Sequence, residues 1–225
     1  LSSSTSGWPN AEYAPVATTL CQSKASVQTY GPYKVHAWTD HMASDYTGHI
    51  ADINRWIRQQ PATWLSGAAI TSTGGAANFE IATTVGSVLQ LHEHSFPAFS
   101  AGDDLYVVNN NTTAYKRTTD LASETSDSEG VALSPWHTVV IWGAVNEASG
   151  DCKLFVNLPS GSYLNNSGDQ ALLDSNGYNN YSIPNDFAGV GFLVAAVTVS
   201  LSGGTYTIRQ ETDLRGLFPS TAAGG

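Results

Sequence analysis

The longest stretch without a charged residue, residues 187–208, constrains the fold of this chain more than any other feature. Its apolar part, residues 187–199, is shorter than the roughly 20 residues that a membrane-spanning helix needs. An apolar run of this kind, interrupted by glycine, is typical of a buried strand. Ser202-Gly203-Gly204-Thr205 follows it, and a Gly-Gly pair between apolar runs is typical of a hairpin turn. The stretch therefore predicts a buried strand that returns through a hairpin.

Similar strand patterns recur along most of the chain. They lie at residues 26–38, 77–92, 105–109, 136–145, 153–157, 190–199 and 205–210. The segment 77–92 divides into two strands around Gly86, and glycine- and Asn/Asp-rich turns separate the others. Short strands at turn-punctuated intervals predict an all-β fold, an antiparallel β-sandwich or jelly-roll-like domain, rather than βαβ units.

The domain organisation follows from the remaining segments. Residues 1–15 are rich in serine and contain glycine and proline, and they are predicted to form an extended arm or linker. Residues 16–218 are predicted to form the β-sandwich domain, and residues 219–225 a flexible tail. One short helix is expected near residues 47–60, where Ile50, Ile53, Trp56 and Ile57 recur on one helical face.

Charge is sparse and mostly acidic, which excludes some partners. Charged residues are 12% of the 225, and 19 Asp and Glu against 9 Lys and Arg give a net charge of −10. Such a chain lacks the basic patch that neutralises phosphates, so we expect no nucleic-acid partner and no membrane insertion. Uncharged polar surfaces lose little ion solvation when subunits bury them, and they can hydrogen-bond neutral sugars. The composition therefore favours assembly and adhesion.

Sequence motifs give no catalytic residues. The chain has no Gly-rich phosphate loop and no G-x-S-x-G nucleophile motif, and spacing marks no pair of acidic residues for glycoside hydrolysis. We therefore expect a protein that is not an enzyme, with a polysaccharide-degrading β-sandwich enzyme as an alternative. Cys21 and Cys152 are too few for a disulfide scaffold, and two buried thiols are favoured over one bridge.

Histidines give the clearest hint of a metal. His92 and His94 flank Glu93 on a predicted strand, so both imidazoles point to the same face and Glu93 points away. Two ligands are too few for a closed site. Three copies around a three-fold axis would supply six imidazoles, enough for an octahedral iron-type ion. The simpler interpretation is two ordinary histidines at a strand end, with no cofactor.

Tyrosines mark a candidate ligand-binding segment. Tyr163, Tyr178 and Tyr181 lie in the Asn-, Gly- and Ser-rich residues 160–182. Flat rings among short polar side chains suit adaptable recognition in loops, including stacking on sugars. The alternative is that these rings pack the loop onto the domain.

Several strings together resemble a known class of protein. They are Gly86-Ser-Val-Leu-Gln-Leu-His92-Glu-His94-Ser-Phe-Pro97, Val107-Val-Asn109-Asn-Asn-Thr-Thr-Ala-Tyr115, Val140-Ile-Trp142-Gly143, Val156-Asn157-Leu-Pro159-Ser-Gly-Ser-Tyr163, Gly189-Val-Gly-Phe-Leu193 and Asp213-Leu-Arg215-Gly216. In this order they resemble the carboxy-terminal region of tail-fibre-like structural proteins of tailed bacteriophages, over roughly residues 68–220.

The resemblance implies a homotrimeric β-structure on the virion that binds a host-surface receptor, with H-x-H at His92 and His94 able to hold an iron ion on the trimer axis. The first hypothesis is therefore an extracellular fibre or fibre-tip protein that oligomerises, contacts other virion proteins and adheres to a host glycan or protein. The second is a capsid decoration or self-assembling filament subunit without receptor specificity.

The sequence also predicts the surroundings of two individual side chains. Residues 139–145 are nearly all apolar, so Trp142 is predicted to be buried in a core strand. Arg215, one of five arginines, is predicted to pair with a carboxylate in its own segment or in a neighbouring chain.

Overall fold

The computed structural model describes residues 17–21, 33–37, 53, 56–57, 59–164, 181–218 and 220–221. The chain divides into two compact units, Leu1–Trp56 and Ile57–Gly225. The sequence predicts one domain over 16–218, whereas this range is shared between both units. Strands β1 (Ala17–Cys21) and β2 (Tyr33–Ala37) of the first unit pair antiparallel with each other in a sheet of their own.

The structure describes parts of the predicted helix and of the predicted tail, but not the predicted arm. The predicted arm, residues 1–15, lies outside the described residues. Within the predicted helical segment, Ile53, Trp56, Ile57 and Gln59 have helical geometry, and most of the remainder is likewise not described. In the predicted tail, Ser220 and Thr221 form a short strand. No helix within the described part of the chain is both long and apolar enough to cross a membrane.

The second unit is built from strands, which confirms the all-β prediction at that level. Its strands are β3 (Thr63–Gly67), β4 (Ile70–Gly75), β5 (Asn78–Thr83), β6 (Gly86–Gln90), β7 (His92–Phe96), β8 (Leu105–Val107), β9 (Lys116–Thr118), β10 (Trp136–Ala144), β11 (Lys153–Asn157), β12 (Ser182–Ile183), β13 (Gly191–Ser202), β14 (Thr205–Asp213) and β15 (Ser220–Thr221). Short 3-10 turns lie at Leu121–Ser123, Ser149–Asp151 and Asn185–Phe187.

A six-stranded sheet in the order β14-β13-β10-β11-β8-β9 organises this unit. The predicted hairpin joins β13 to β14 through Gly203 and Gly204, whose φ values of +56° and +79° suit a tight turn that glycine adopts without strain. Not every pair is antiparallel as predicted, because β8 lies parallel to β11 and β12 lies parallel to β15. Strand β10 lies between β8 and β11 in sequence, which gives the long connection that a parallel pair requires.

Both faces of the central strands are buried, because β10 and β13 are apolar at nearly every position. Alternate residues of β10 therefore point into two separate clusters. The first cluster joins one face of the sheet to residues of β5, β6 and β7, and its members include Ile141, Phe192, Phe79, Val88 and Phe96. Gly143 allows the closest approach there, since a Cβ at this position would lie 2.7 Å from the Phe192 ring.

The second cluster is aromatic and occupies the opposite face. Trp142 is 0% exposed, which confirms its predicted burial, and its ring stacks on Phe155 with centroids 4.3 Å apart. Its indole Nε1–H donates to the Asn157 side-chain oxygen at 3.0 Å. Phe187 completes the stack on an edge, and Tyr181, Ile183 and Leu214 close the cluster.

The hairpin of β4 and β5 lies along the outer strand β14. Ala77 donates its backbone N–H to the carbonyl of Gly204, and Ser72 donates from both its backbone and its hydroxyl to the Glu211 carboxylate. An isolated bridge between Ala76 and Thr205 also pairs the first residue of β14, so part of this edge strand is not open for pairing.

Candidate functional site

His92 and His94 meet a third side chain that the sequence analysis did not connect to them. The two histidines lie on β7, and their rings stack with centroids 4.2 Å apart, as expected for one strand face. Glu147, in the loop after β10, places a carboxylate oxygen 3.0 Å from His92 Nε2. One possible ligand atom from each of the three residues lies within 4.8 Å of the others. The structure thus gathers two imidazoles and one carboxylate.

Hydrogen bonds fix the orientation of both rings. His92 Nδ1–H donates to the Glu93 carbonyl at 3.2 Å, and His94 Nε2–H donates to the Gln90 carbonyl at 3.0 Å. The bond to the Glu93 carbonyl, and then the Glu147 carboxylate, raise the pKa of the exposed His92 ring. His94 is only 7% exposed, so its ring is held in place while His92 and Glu147 face solvent.

Cys152 fixes the loop that carries Glu147. It is a free and buried thiol, as favoured from the sequence, and burial raises its pKa. The thiol lies 3.8 Å from the Ser95 carbonyl, beside His94 in sequence, and accepts the backbone N–H of Asn146 at 3.4 Å. One buried sulfur therefore contacts both β7 and the loop. The side chain of Cys21 lies outside the described residues.

The predicted tyrosines occupy different environments. Tyr163 is half-buried, and its backbone pairs with that of Trp136 in an isolated bridge. Tyr181 is buried in the aromatic cluster, and this burial raises the pKa of its phenol. Tyr178 lies outside the described residues. Ligand binding by the three tyrosines stays a prediction.

A cavity of about 430 Å³ opens beside Tyr181 and is the second candidate site, termed here the aromatic cavity. The residues that line it combine rings, a carboxylate, a hydroxyl and apolar side chains: Tyr181, Thr212, Asp213, Leu214, Gly216, Leu217 and Phe218. Leu214 is buried in the aromatic cluster, while Phe218 is 75% exposed. The cavity therefore has a fixed floor and an exposed aromatic wall.

Arg215 connects the segment that lines the cavity to β3. Its guanidinium donates to both carboxylate oxygens of Asp213, at 2.8 and 2.7 Å, which confirms the predicted ion pair. It also donates to the Gly67 carbonyl at 2.7 Å and lies 5.1 Å from the centroid of the Trp64 ring. The Arg215 hydrogen bond lowers the pKa of Asp213, so the cavity presents an ionised carboxylate near neutral pH.

Sequence reasoning missed Glu147 and Phe218, each for its own reason. Glu147 stands 55 residues from His92, and no spacing rule links a loop residue to a strand that far away. Phe218 carried a usable signal, since a large aromatic residue follows the Asp213-Leu-Arg215-Gly216 string. A bulky apolar residue in a turn-rich segment is a candidate for an exposed contact.

Comparison with known proteins identifies no relative of this chain. No family model, no curated protein and no solved structure matches the chain.

Proposed function

We propose that this chain is a structural protein of a phage virion surface, a fibre or fibre-tip domain that self-assembles and adheres to a glycan or protein of the host. The observation that carries the proposal is the aromatic cavity, because it joins an exposed ring to a rigid floor. The proposed place of action is the virion, outside the host cell, and the proposed role is binding rather than catalysis.

The chemistry of the cavity suits a sugar-like ligand. Phe218 offers exposed aromatic surface, on which the apolar face of a sugar ring can pack, and the buried Tyr181 contributes to the lining. Asp213 has about four acceptor positions, of which Arg215 uses three through two guanidinium hydrogen bonds and one backbone N–H. The remaining position and the O–H of Thr212, whose oxygen already accepts from the Gln210 side-chain amide, are available for ligand hydroxyl groups. Pockets of this kind combine apolar area with a few placed polar groups.

The surface outside the cavity supports assembly. Large hydrophobic side chains are exposed at several places on the second unit away from the cavity, and they include Leu65, Val131 and Leu164. Together with the low charge content, they favour contacts with further copies of the chain and with other virion proteins. We propose a homotrimer built on β-sandwich-like domains, in which the six-stranded sheet and the β3–β7 hairpins form the two layers.

A binding experiment on cells and glycans tests the adhesive part of this proposal. Fluorescently labelled chain is applied to a panel of bacterial strains and to their purified surface polysaccharides. We expect binding to a subset, loss of that binding in Phe218→Ala, and retention in Val85→Ala, which removes a similarly exposed apolar residue (66%) away from the cavity. Equal binding of both variants would contradict adhesion at this cavity.

Assembly is tested separately by light scattering on the purified chain. The proposal expects a trimer at micromolar concentration. A monomer would contradict the assembly, and long filaments in the absence of other virion proteins would favour the filament-subunit alternative.

A further inference from the structure

We propose that His92, His94 and Glu147 bind one divalent transition-metal ion within a single chain. The three side chains come from β7 and from the loop after β10, and one possible ligand atom of each lies within 4.8 Å of the others. This site differs from the axial site that the resemblance implies, because its third ligand comes from the same chain.

The ligand types select the class of ion. Imidazole and carboxylate together suit zinc and its neighbours in the first transition row, whereas magnesium and calcium prefer oxygen ligands alone. Three protein ligands leave at least one coordination position for water, as in open zinc sites. The proposed ligand is therefore a zinc-like ion with a water on its solvent side.

Both rings already carry the hydrogen bonds that metal-binding histidines use. Donation from His92 Nδ1 to the Glu93 carbonyl leaves Nε2 as the metal-binding atom, which donates to the Glu147 carboxylate in the metal-free chain and loses that proton when the ion binds. Donation from His94 Nε2 to the Gln90 carbonyl leaves Nδ1 as the lone-pair atom of that ring. Such outer contacts fix the tautomer of a metal-binding histidine and orient its ring.

Small side-chain movements close the site. Two ligand atoms bonded to one tetrahedral zinc ion stand about 3.4 Å apart, given metal–ligand bonds of about 2.1 Å. His92 Nε2 and a Glu147 carboxylate oxygen are already 3.0 Å apart, and the Glu147 side chain is 78% exposed, so it can move toward the rings. His94 and the Cys152-anchored loop stay fixed, and the bound ion ties this loop to β7.

The burial of His94 distinguishes this single-chain site from an ion site on a three-fold axis. An ion on a three-fold axis requires both imidazoles of each chain to reach outward to the same point. His94 is buried within its own chain and faces the His92 ring and the Gln90 carbonyl. The single-chain site needs Glu147 and binds one ion per chain, whereas the axial site ignores Glu147 and binds one ion per three chains.

Calorimetric titration with zinc chloride tests the inference on the metal-free full chain, prepared without an affinity tag. We expect one Zn²⁺ per chain and weakening by at least about tenfold in Glu147→Gln and in His92→Ala. Glu93→Gln is the matched control, because Glu93 adjoins both histidines but directs its carboxylate to Ser87. It should bind zinc as the unaltered chain does.

Three results would overturn the inference: no zinc binding by the unaltered chain, unchanged affinity in Glu147→Gln, or one ion per three chains. Circular dichroism of each variant checks that it folds, which we expect because His92 and Glu147 are exposed. The outcome is independent of the adhesion proposal, since none of the three ligands lines the aromatic cavity.

Discussion

The two faces of the six-stranded sheet are built from the same strands but have different compositions. The first face is mainly aliphatic and packs against β5, β6 and β7, with Phe96 and Phe192 in edge-to-face contact at 5.0 Å. The second face is aromatic, contains the buried Asn157 amide, and adjoins the aromatic cavity. On this basis we propose that the second face supports the ligand-binding surface, whereas the first face mainly packs the β-strand layers together.

The largest expected effect comes from truncating the centre of the aromatic face. Trp142→Ala removes a fully buried indole and should lower the free energy of unfolding by about 3–5 kcal/mol. Ile141→Val, its neighbour on the aliphatic face, should cost about 0.5–1.5 kcal/mol. Urea denaturation measures both, and a cost below about 1 kcal/mol for Trp142→Ala would show that the aromatic stack is not a packed core.

A smaller effect isolates the polar contact within that face. Trp142→Phe keeps an aromatic ring but removes the N–H that donates to Asn157, so a buried acceptor loses a partner. We expect a loss of about 1–3 kcal/mol in the free energy of unfolding. If urea denaturation shows no loss, the indole–amide hydrogen bond contributes nothing to this face.

The aliphatic face should show a pH dependence through His137. Burial lowers the pKa of this ring from its ordinary value of 6.5. The unfolded chain therefore binds the proton more readily, so stability is full above pH 6.5 and decreases as the pH falls toward the folded-state pKa. Unfolding free energies at several pH values should show this decrease, and His137→Phe should reduce it. The same slope in both chains would assign the effect to other groups.

The smallest expected effect on stability comes from replacing Arg215, which lies beside the aromatic cavity. Arg215→Met removes the exposed ion pair to Asp213 and the donor to Gly67, and should cost about 1 kcal/mol or less. Because it removes the contacts of this cavity-lining segment with Gly67 and Trp64 and leaves Asp213 without its partner, it should weaken ligand binding more than it weakens the fold. Parallel denaturation and cell-binding assays compare the two effects. Unchanged binding would show that Arg215 does not position the residues that line the aromatic cavity.

Local sequence signals account for much of this architecture. The two strands around Gly86, the long runs of β10 and β13 and the Gly203-Gly204 hairpin depend on nearby residues, so pattern and turn chemistry predicted them. The parallel pairing of β8 with β11 depends on contacts across a long connection, which periodicity does not encode.

Local sequence likewise predicts some features of the candidate sites, whereas others depend on contacts between distant residues. The shared face of His92 and His94 follows from strand alternation, and the pairing of Arg215 with Asp213 joins residues two positions apart. Glu147 reaches His92 only because β10 and the Cys152-anchored loop bring it there. The aromatic cavity likewise needs Tyr181 and Phe218 to meet through folding.

Hydrogen–deuterium exchange on the ligand-bound chain tests most directly whether the aromatic face carries the binding surface. The ligand is the polysaccharide that the unaltered chain selects in the binding panel. We expect slower exchange at residues 212–218, which include every lining residue of the aromatic cavity except Tyr181, and unchanged exchange at residues 86–96 beside the aliphatic face. Protection of residues 86–96 without protection of residues 212–218 would contradict it.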